Sequence, residues 1–294
     1  MTLHTINTGF FKLDGGAMFG VVPKSIWQKT NPADENNLCT WAMRCLLVED
    51  GKQLTLIDNG IGNKQDAKFL SHYHLHGDDN LLKSLHNAGF HEDDVTDMFL
   101  THLHFDHCGG SITYESGKPV PTFRNATYWS NRDHWKWATE PNPREKASFL
   151  PENILPIQES GHLNFIDINQ RPQIAADKGL PISVNQWSIY YASGHTDKMM
   201  IPMIRYGQKT ICFMADLLPS VGHIPLPYVM GYDTRPLLTM EEKARFLNEA
   251  AEKKYILFLE HDPVNECCTV KQTEKGVRVD AVFKLSEINH RNQP

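Results

Sequence analysis

Short apolar runs that stop at histidine or aspartate recur along this chain. Met98-Phe99-Leu100 leads into Thr101-His102-Leu103-His104-Phe105-Asp106-His107-Cys108-Gly109-Gly110. Ser188-Ile189-Tyr190-Tyr191-Ala192 leads into Ser193-Gly194-His195-Thr196, Ile211-Cys212-Phe213-Met214-Ala215 into Asp216, and Tyr255-Ile256-Leu257-Phe258-Leu259 into Glu260-His261-Asp262. Each run is short and rich in β-branched or aromatic residues, the pattern of a buried strand. The polar residues that follow would then line one edge of the sheets. Earlier strands are predicted around His4 to Phe11, Thr40 to Val48 and Leu54 to Ile57, the last two joined by the Glu49-Asp50-Gly51-Lys52 turn. The stretch Asn80 to Ala88 has helical spacing and stops at Gly89, a favourable C-cap. Thr239-Met240-Glu241-Glu242 has the form of a capping box and predicts a helix from there to about Lys254. Trp135, Trp137, Pro141, Pro143 and Pro151 mark a long irregular segment between the first and second ligand motifs, able to cover a site. Strand and helix patterns alternate without a fixed internal repeat.

The segment His102 to His107 packs three imidazoles and a carboxylate into six residues. Imidazole nitrogen suits zinc and other first-row divalent ions, carboxylate oxygen adds a hard anionic ligand, and four such groups in one turn can serve two metals. A structural zinc site would instead show cysteine pairs, and Cys108 stands alone here without a CxxC repeat. Gly109 and Gly110 would allow the sharp backbone return that the ligand turn requires.

Composition narrows the class without choosing a substrate. With 294 residues, 40% hydrophobic and 22% charged, the chain is ordinary globular protein, read as a single domain over 1–294 because the candidate ligands span most of it. Lys plus Arg number 29 against 35 Asp plus Glu, a net charge of -6 with no long basic stretch, which argues against a nucleic-acid partner. The six cysteines are scattered and define no disulfide framework. Met1-Thr2-Leu3-His4-Thr5 lacks a basic region followed by an apolar core, and no run of 18 apolar residues occurs, so a cytoplasmic protein that neither spans nor binds a membrane is expected.

The order H-x-H-x-D-H, Gly-His, Asp, His resembles the metallo-β-lactamase superfamily of hydrolases, with the match running from Asp58 to His261. The resemblance implies an α/β (α+β) fold, a four-layer αββα sandwich whose strand ends deliver the ligands. It implies two divalent ions, zinc first, with iron, manganese or cobalt as alternatives. His102, His104 and His195 would hold one ion and Asp106, His107 and His261 the other, with Asp216 bridging. Asp58, in Leu54-Thr55-Leu56-Ile57-Asp58-Asn59-Gly60, would orient a ligand histidine from behind. Two ions about 3.5–4 Å apart hold a bridging water, lower its pKa and polarise a carbonyl or phosphoryl oxygen, so hydrolysis is expected, with Asp106 passing a proton to the leaving group.

Leu13-Asp14-Gly15-Gly16-Ala17-Met18-Phe19-Gly20-Val21-Val22-Pro23-Lys24, Asp216-Leu217-Leu218-Pro219 and Gly231-Tyr232-Asp233 resemble the branch that contains N-acyl homoserine lactonases and methyl parathion hydrolase-like enzymes. That resemblance places a small lactone or ester first as substrate and an organophosphate or aryl ester second. A β-lactam ranks below both, and a metal-stabilised binding protein without turnover is the reading from another class. It makes Met18, Phe19 and Trp27 candidates for an apolar substrate wall, and a homodimer is expected by the same analogy. Some lactonases place a tyrosine three residues beyond the bridging aspartate; here Pro219 stands there, so Tyr228 or Tyr232 is the candidate to polarise substrate. His104 stands where flavin-linked di-iron relatives carry an acidic residue, which turns the reading away from redox chemistry. His72, His74 and His76 imitate a second metal motif but follow no apolar strand and are read as solvent-facing. Gly60-Ile61-Gly62 lacks the third glycine of a dinucleotide fingerprint, Gln65 standing in its place. No G-x-S-x-G elbow is present.

Overall fold

The computed structural model describes residues 1–167 and 187–290. Two six-stranded sheets are present. The first runs β1 (Thr2–Asp14), β2 (Leu38–Asp50), β3 (Gln53–Ile57), β4 (Asp97–Phe99), then past the small hairpin β5 (Ile112–Glu115) and β6 (Lys118–Pro121) to β7 (Thr127–Asn131) and β8 (Leu163–Ile166), in the order β1-β2-β3-β4-β7-β8. The second contains β9 (Trp187–Ala192), β10 (Met199–Tyr206), β11 (Lys209–Phe213), β12 (Ile256–Phe258), β13 (Cys267–Thr273) and β14 (Gly276–Phe283), in the order β14-β13-β12-β11-β10-β9.

Side-chain alternation explains the layering. Along β2, Leu46 and Val48 enter the core shared with the second sheet, whereas Cys45 and Leu47 enter a different core. In β4 Phe99 and Met98 divide the same way. Both faces of these strands are therefore buried, which is why they read as continuous apolar runs rather than alternating ones. The shared core joins Leu46, Ile57 and Phe99 to Ile201, Phe213 and Phe258. On the far face of the first sheet, Leu85, Trp135, Ile154 and Ile157 supply the helical cover. Beyond the second sheet, helix Pro236–Lys253 adds Phe246, Leu247 and Ala250. The arrangement is a mixed α/β sandwich with helices outside paired sheets. No helix among the described residues is long and apolar enough to cross a membrane.

Strand direction puts the ligand motifs together. β3 and β4 are parallel, β11 and β12 are parallel, and β9 runs antiparallel to β10, which runs antiparallel to β11. β9, β11 and β12 thus point the same way, and in both sheets the polar residues after the strands emerge at carboxyl ends. The two sheets are stitched there by backbone bonds from Ala42 N to His261 O and from Arg44 N to Glu260 O, each 3.0 Å.

Three sequence expectations need correction. The long helix begins at Pro236, with Thr239 inside it, because Pro at the first helical position replaces the capping box. Glu242 is not a box partner; its carboxylate accepts from Ser193 N and Gly194 N at 2.8 and 2.9 Å, fixing the turn before His195. The segment marked by tryptophans and prolines is not irregular throughout: it forms helices Arg132–Thr139 and Pro151–Glu159, the second opened by Pro151. Residues 168–186 of that stretch lie outside the described residues. Gly109 and Gly110 have ordinary backbone angles, and what they supply is close approach. A Cβ on Gly109 would lie 2.1 Å from Ile61 O, and one on Gly110 2.4 Å from Asn59 O. The turn after β3 packs directly on the backbone of the ligand turn.

Candidate metal centre

The short helix Phe105–Cys108 follows β4 and turns Asp106 and His107 to the same side as His102 and His104. Seven side chains converge in two sets. His104 Nδ1 lies 3.1 Å from His102 Nε2 and 3.1 Å from His195 Nε2, and Asp216 Oδ2 lies 3.0 Å from His195 Nε2. In the second set His107 Nε2 and His261 Nε2 are 3.1 Å apart, and Asp106 Oδ2 stands 3.8 and 3.9 Å from them. Asp216 belongs to both: its other oxygen, Oδ1, is 3.0 Å from His261 Nε2 and 3.6 Å from His107 Nε2.

Each imidazole is held from behind. His107 Nδ1 has Asp58 Oδ2 at 3.0 Å and Glu260 Oε2 at 3.1 Å. Asp58 also accepts from Thr101 N at 2.8 Å and from the Thr101 hydroxyl at 2.6 Å, and that hydroxyl lies 3.0 Å from His102 Nδ1. His195 Nδ1 faces Asp233 Oδ1 at 2.9 Å, and His261 Nδ1 faces Ala42 O at 2.8 Å. His104 is turned the other way, with Nδ1 inward and Nε2 3.5 Å from Glu145 Oε1. With an acceptor behind, each ring would keep its proton on the outward nitrogen and offer the inward lone pair once a metal is bound.

This donor set fits two divalent ions. Zinc bonded tetrahedrally to nitrogens at about 2.0–2.1 Å puts neighbouring nitrogens about 3.3–3.4 Å apart, within a few tenths of an ångström of the separations in the first set. Asp216 Oδ1 is buried without a hydrogen-bond partner yet faces two imidazole nitrogens, an arrangement a cation satisfies. The electrostatics agree. Burial opposes a charge on His195, but the Asp216 and Asp233 carboxylates push its pKa up to about 10. His261, also against burial, is pushed up to about 9 by Asp216 and Glu260. Burial would raise Asp216, but the imidazoles of His195, His107 and His261 hold it well below the carboxylate range. Burial and neighbouring imidazoles keep His102 low. The site thus carries negative charge that protons on nearby imidazoles, or metal ions, must balance.

A cavity of about 340 Å³ opens on these groups, reaching His104, Asp106, His195, Asp216 and His261. Its apolar wall is Phe11, Leu13, Met18, Phe105 and Met230, and Tyr73, Tyr232 and Arg144 stand at its polar side. Met18 is therefore placed as the sequence suggested. Phe19 and Trp27 are not: both are buried behind the wall, their rings stacked 5.3 Å apart, with His223 stacked 4.4 Å from Phe19. Gly15 makes room for the Trp27 ring, which a Cβ would meet at 2.3 Å. Tyr232 lines the cavity, and Tyr228 does not; it packs in the core around Phe19. His72, His74 and His76 are exposed as expected, but Tyr73 between them packs its ring 4.7 Å from Phe105 and faces the cavity. Burial, with Asp106 nearby, pushes the Tyr73 hydroxyl up to about 12.

Sequence reading missed Asp233, Glu145 and Tyr73 as site residues. Asp233 was visible only as part of Gly231-Tyr232-Asp233. For Glu145 the available signal was its being the one carboxylate between Glu140 and Glu152, two residues after the Asn142-Pro143 turn pair.

The family model described as the metallo-beta-lactamase superfamily matches residues 44–261. The solved structure of a probable metal-dependent hydrolase from Staphylococcus aureus is similar over 96% of both chains, with a TM-score of 0.83 at 27% identity. AidC, a dizinc quorum-quenching lactonase solved in complex with its product, is similar over 96% of this chain and 95% of its own, with a TM-score of 0.76 at 21% identity. The hydrolase AbOPH is similar over 96% of this chain and 94% of its own, with a TM-score of 0.74 at 20% identity. At those identities AidC and AbOPH share the fold. No curated protein sequence matches the chain.

Proposed function

Because the chain belongs to the metallo-beta-lactamase superfamily and is a metal-dependent hydrolase, we infer that it opens a small, uncharged lactone or ester of the N-acyl homoserine lactone type at a pair of divalent ions, zinc first among them. The observation that carries this reading is the cavity: its apolar wall ends on the inward face of both ligand sets. His102, His104 and His195 would hold one ion, Asp106, His107 and His261 the other, and Asp216 both. When bound, two such ions supply Lewis acidity and an activated water at neutral pH.

The chain's own residues do the rest. Phe11, Leu13, Met18 and Met230 receive an acyl chain and exclude water from it. Asp106 turns Oδ2 to the second ligand set and lines the cavity, so its other oxygen can carry a proton to the departing alkoxide. Tyr232 and Tyr73 offer hydroxyls at the polar side, where a carbonyl oxygen would lie. The likeness to AidC favours the lactone, and the aromatic rings of Phe11 and Phe105 in the wall suit an aryl ester as the second reading.

Turnover of a chain-length series of N-acyl homoserine lactones, measured beside paraoxon and an aryl ester with a chelated control, tests the reading. Chelator-sensitive lactone opening is expected to dominate. Dominant phosphotriester or aryl-ester turnover would overturn it in favour of the second substrate class.

A further inference from the structure

The roof of the cavity holds a buried carboxylate whose placement neither the apolar wall nor the proton path explains. Glu145 is 3% exposed although it sits between helices Arg132–Thr139 and Pro151–Glu159. Its Oε2 accepts from Asn142 Nδ2 at 2.6 Å and from Trp137 Nε1 at 2.7 Å. No donor meets hydrogen-bond geometry at Oε1, which has the His104 imidazole and the Thr196 hydroxyl beside it. His104 Nε2 is likewise buried without a hydrogen-bond partner, 3.5 Å from that oxygen. Two unpartnered polar atoms therefore face each other across a gap a few tenths of an ångström longer than an N–H···O bond.

The ring orientation of His104 gives this pairing its consequence. His104 is the one ligand histidine of the five that turns Nδ1 inward. Rotating its ring by half a turn about the Cβ–Cγ bond would exchange Nδ1 for Cδ2 at the ligand cluster and, on the other side, Nε2 for Cε1. A carboxylate facing the outer edge of the ring favours the orientation that presents Nε2–H to it, and so the one that presents the Nδ1 lone pair to a metal. The adjacent residue reaches the second histidine of the same set. Arg144 Nη2 donates to Gly231 O and Asp233 O, and Asp233 Oδ1 lies 2.9 Å from His195 Nδ1.

We propose that Arg144 and Glu145 form a strap that fixes the first metal position from the cavity roof, with Glu145 as the positioning residue of His104. This rests on the paired-ion centre of the reading above and is independent of its substrate. Zinc affinity of the metal-stripped full-length protein, measured by competition with a chromophoric chelator, tests it without any substrate. Glu145→Ala is expected to weaken one of the two zinc ions about 10- to 100-fold and to leave the other unchanged. Glu145→Gln, whose single amide oxygen is held by Asn142 Nδ2 and Trp137 Nε1 and which therefore turns an NH2 toward Nε2–H, is expected to weaken the same ion, and Arg144→Ala to show a smaller loss in it. Unchanged affinity in Glu145→Ala, or equal weakening of both ions, would overturn the strap. Should Glu145→Ala not fold, the test passes to the visible spectrum of cobalt-loaded Glu145→Gln. A change in the bands of one of the two ions is expected there, and an unchanged spectrum overturns the proposal. A parent protein that binds two ions yet opens no lactone would overturn the substrate reading alone.

Discussion

The floor and the roof of this site hold their histidines by different means. On the floor, His102, His107 and His261 are backed by groups on strands or just beyond their ends: Thr101 with Asp58, Glu260, and the carbonyl of Ala42 inside β2. Toward the roof, His104 and His195 are backed by Glu145 and Asp233, carried on connecting segments that also line or close the cavity. A partner on or just beyond a strand is fixed by the sheet, whereas a loop partner is only as fixed as its own contacts. Metal binding on the two sides should therefore respond differently to the same chemical change.

The largest expected effect separates holding a metal from reacting. Asp106→Asn should lower kcat about 10²- to 10⁴-fold, the range for loss of a general acid, while elemental analysis still finds metal bound. Unaltered turnover would remove Asp106 from the proton path. The next contrast compares Asp58→Asn with Asp233→Asn by zinc competition. Asp58 backs His107 directly and His102 through Thr101, so both ions should weaken, each about 10- to 100-fold. Asp233 backs His195 alone among the ligands, so one ion should weaken. Equal two-ion losses in both variants would erase the distinction between floor and roof.

A smaller effect is expected at the tyrosines. Tyr232→Phe and Tyr73→Phe should each reduce lactone kcat by about five- to tenfold, the worth of one hydrogen bond of roughly 1 kcal/mol or slightly more. Tyr228→Phe, away from the cavity, should not. Unchanged kinetics in both cavity variants would leave carbonyl polarisation to other groups. The smallest effect at neutral pH concerns His223, which braces the Met18 loop. Its Nε2 lies 2.8 Å from Met18 O, and burial pulls its pKa down to about 3 from an ordinary 6.5. The unfolded chain binds a proton there below about pH 6.5 and the folded one does not, so stability falls as pH drops from 6.5 toward 3. Urea unfolding of chelated His223→Gln should show a shallower pH slope than the parent across that window. Equal slopes would place the acid sensitivity elsewhere.

The floor was largely legible in the sequence because its groups sit next to their strands. Asp58 directly follows β3 and the H-x-H-x-D-H turn follows β4, so local pattern and ligand chemistry coincide. The roof was not legible for the opposite reason. Glu145 is 41 positions from His104 and Asp233 is 38 from His195, and each pairing depends on the path of a connecting segment that periodicity does not encode. Phe19 and Trp27 show a second limit. A run of apolar residues beside a glycine pair fits a substrate wall or a core equally well in sequence. Gly15 decides for the core by admitting the Trp27 ring. Thr239 shows a third: a capping box is a local signal, and Pro236 three residues earlier overrode it.

The contact of Gly109 and Gly110 with the turn after β3 bears on how the site can move. Ile61 and Asn59 meet the ligand turn backbone to backbone, and Asn59 N donates to His107 O at 2.9 Å. A joint without side chains between its halves has no rotamers to rearrange, so it behaves as a weld rather than a hinge. An arriving substrate that needs space must take it from the segments overhead, and one added methyl group at Gly109 would break the weld itself.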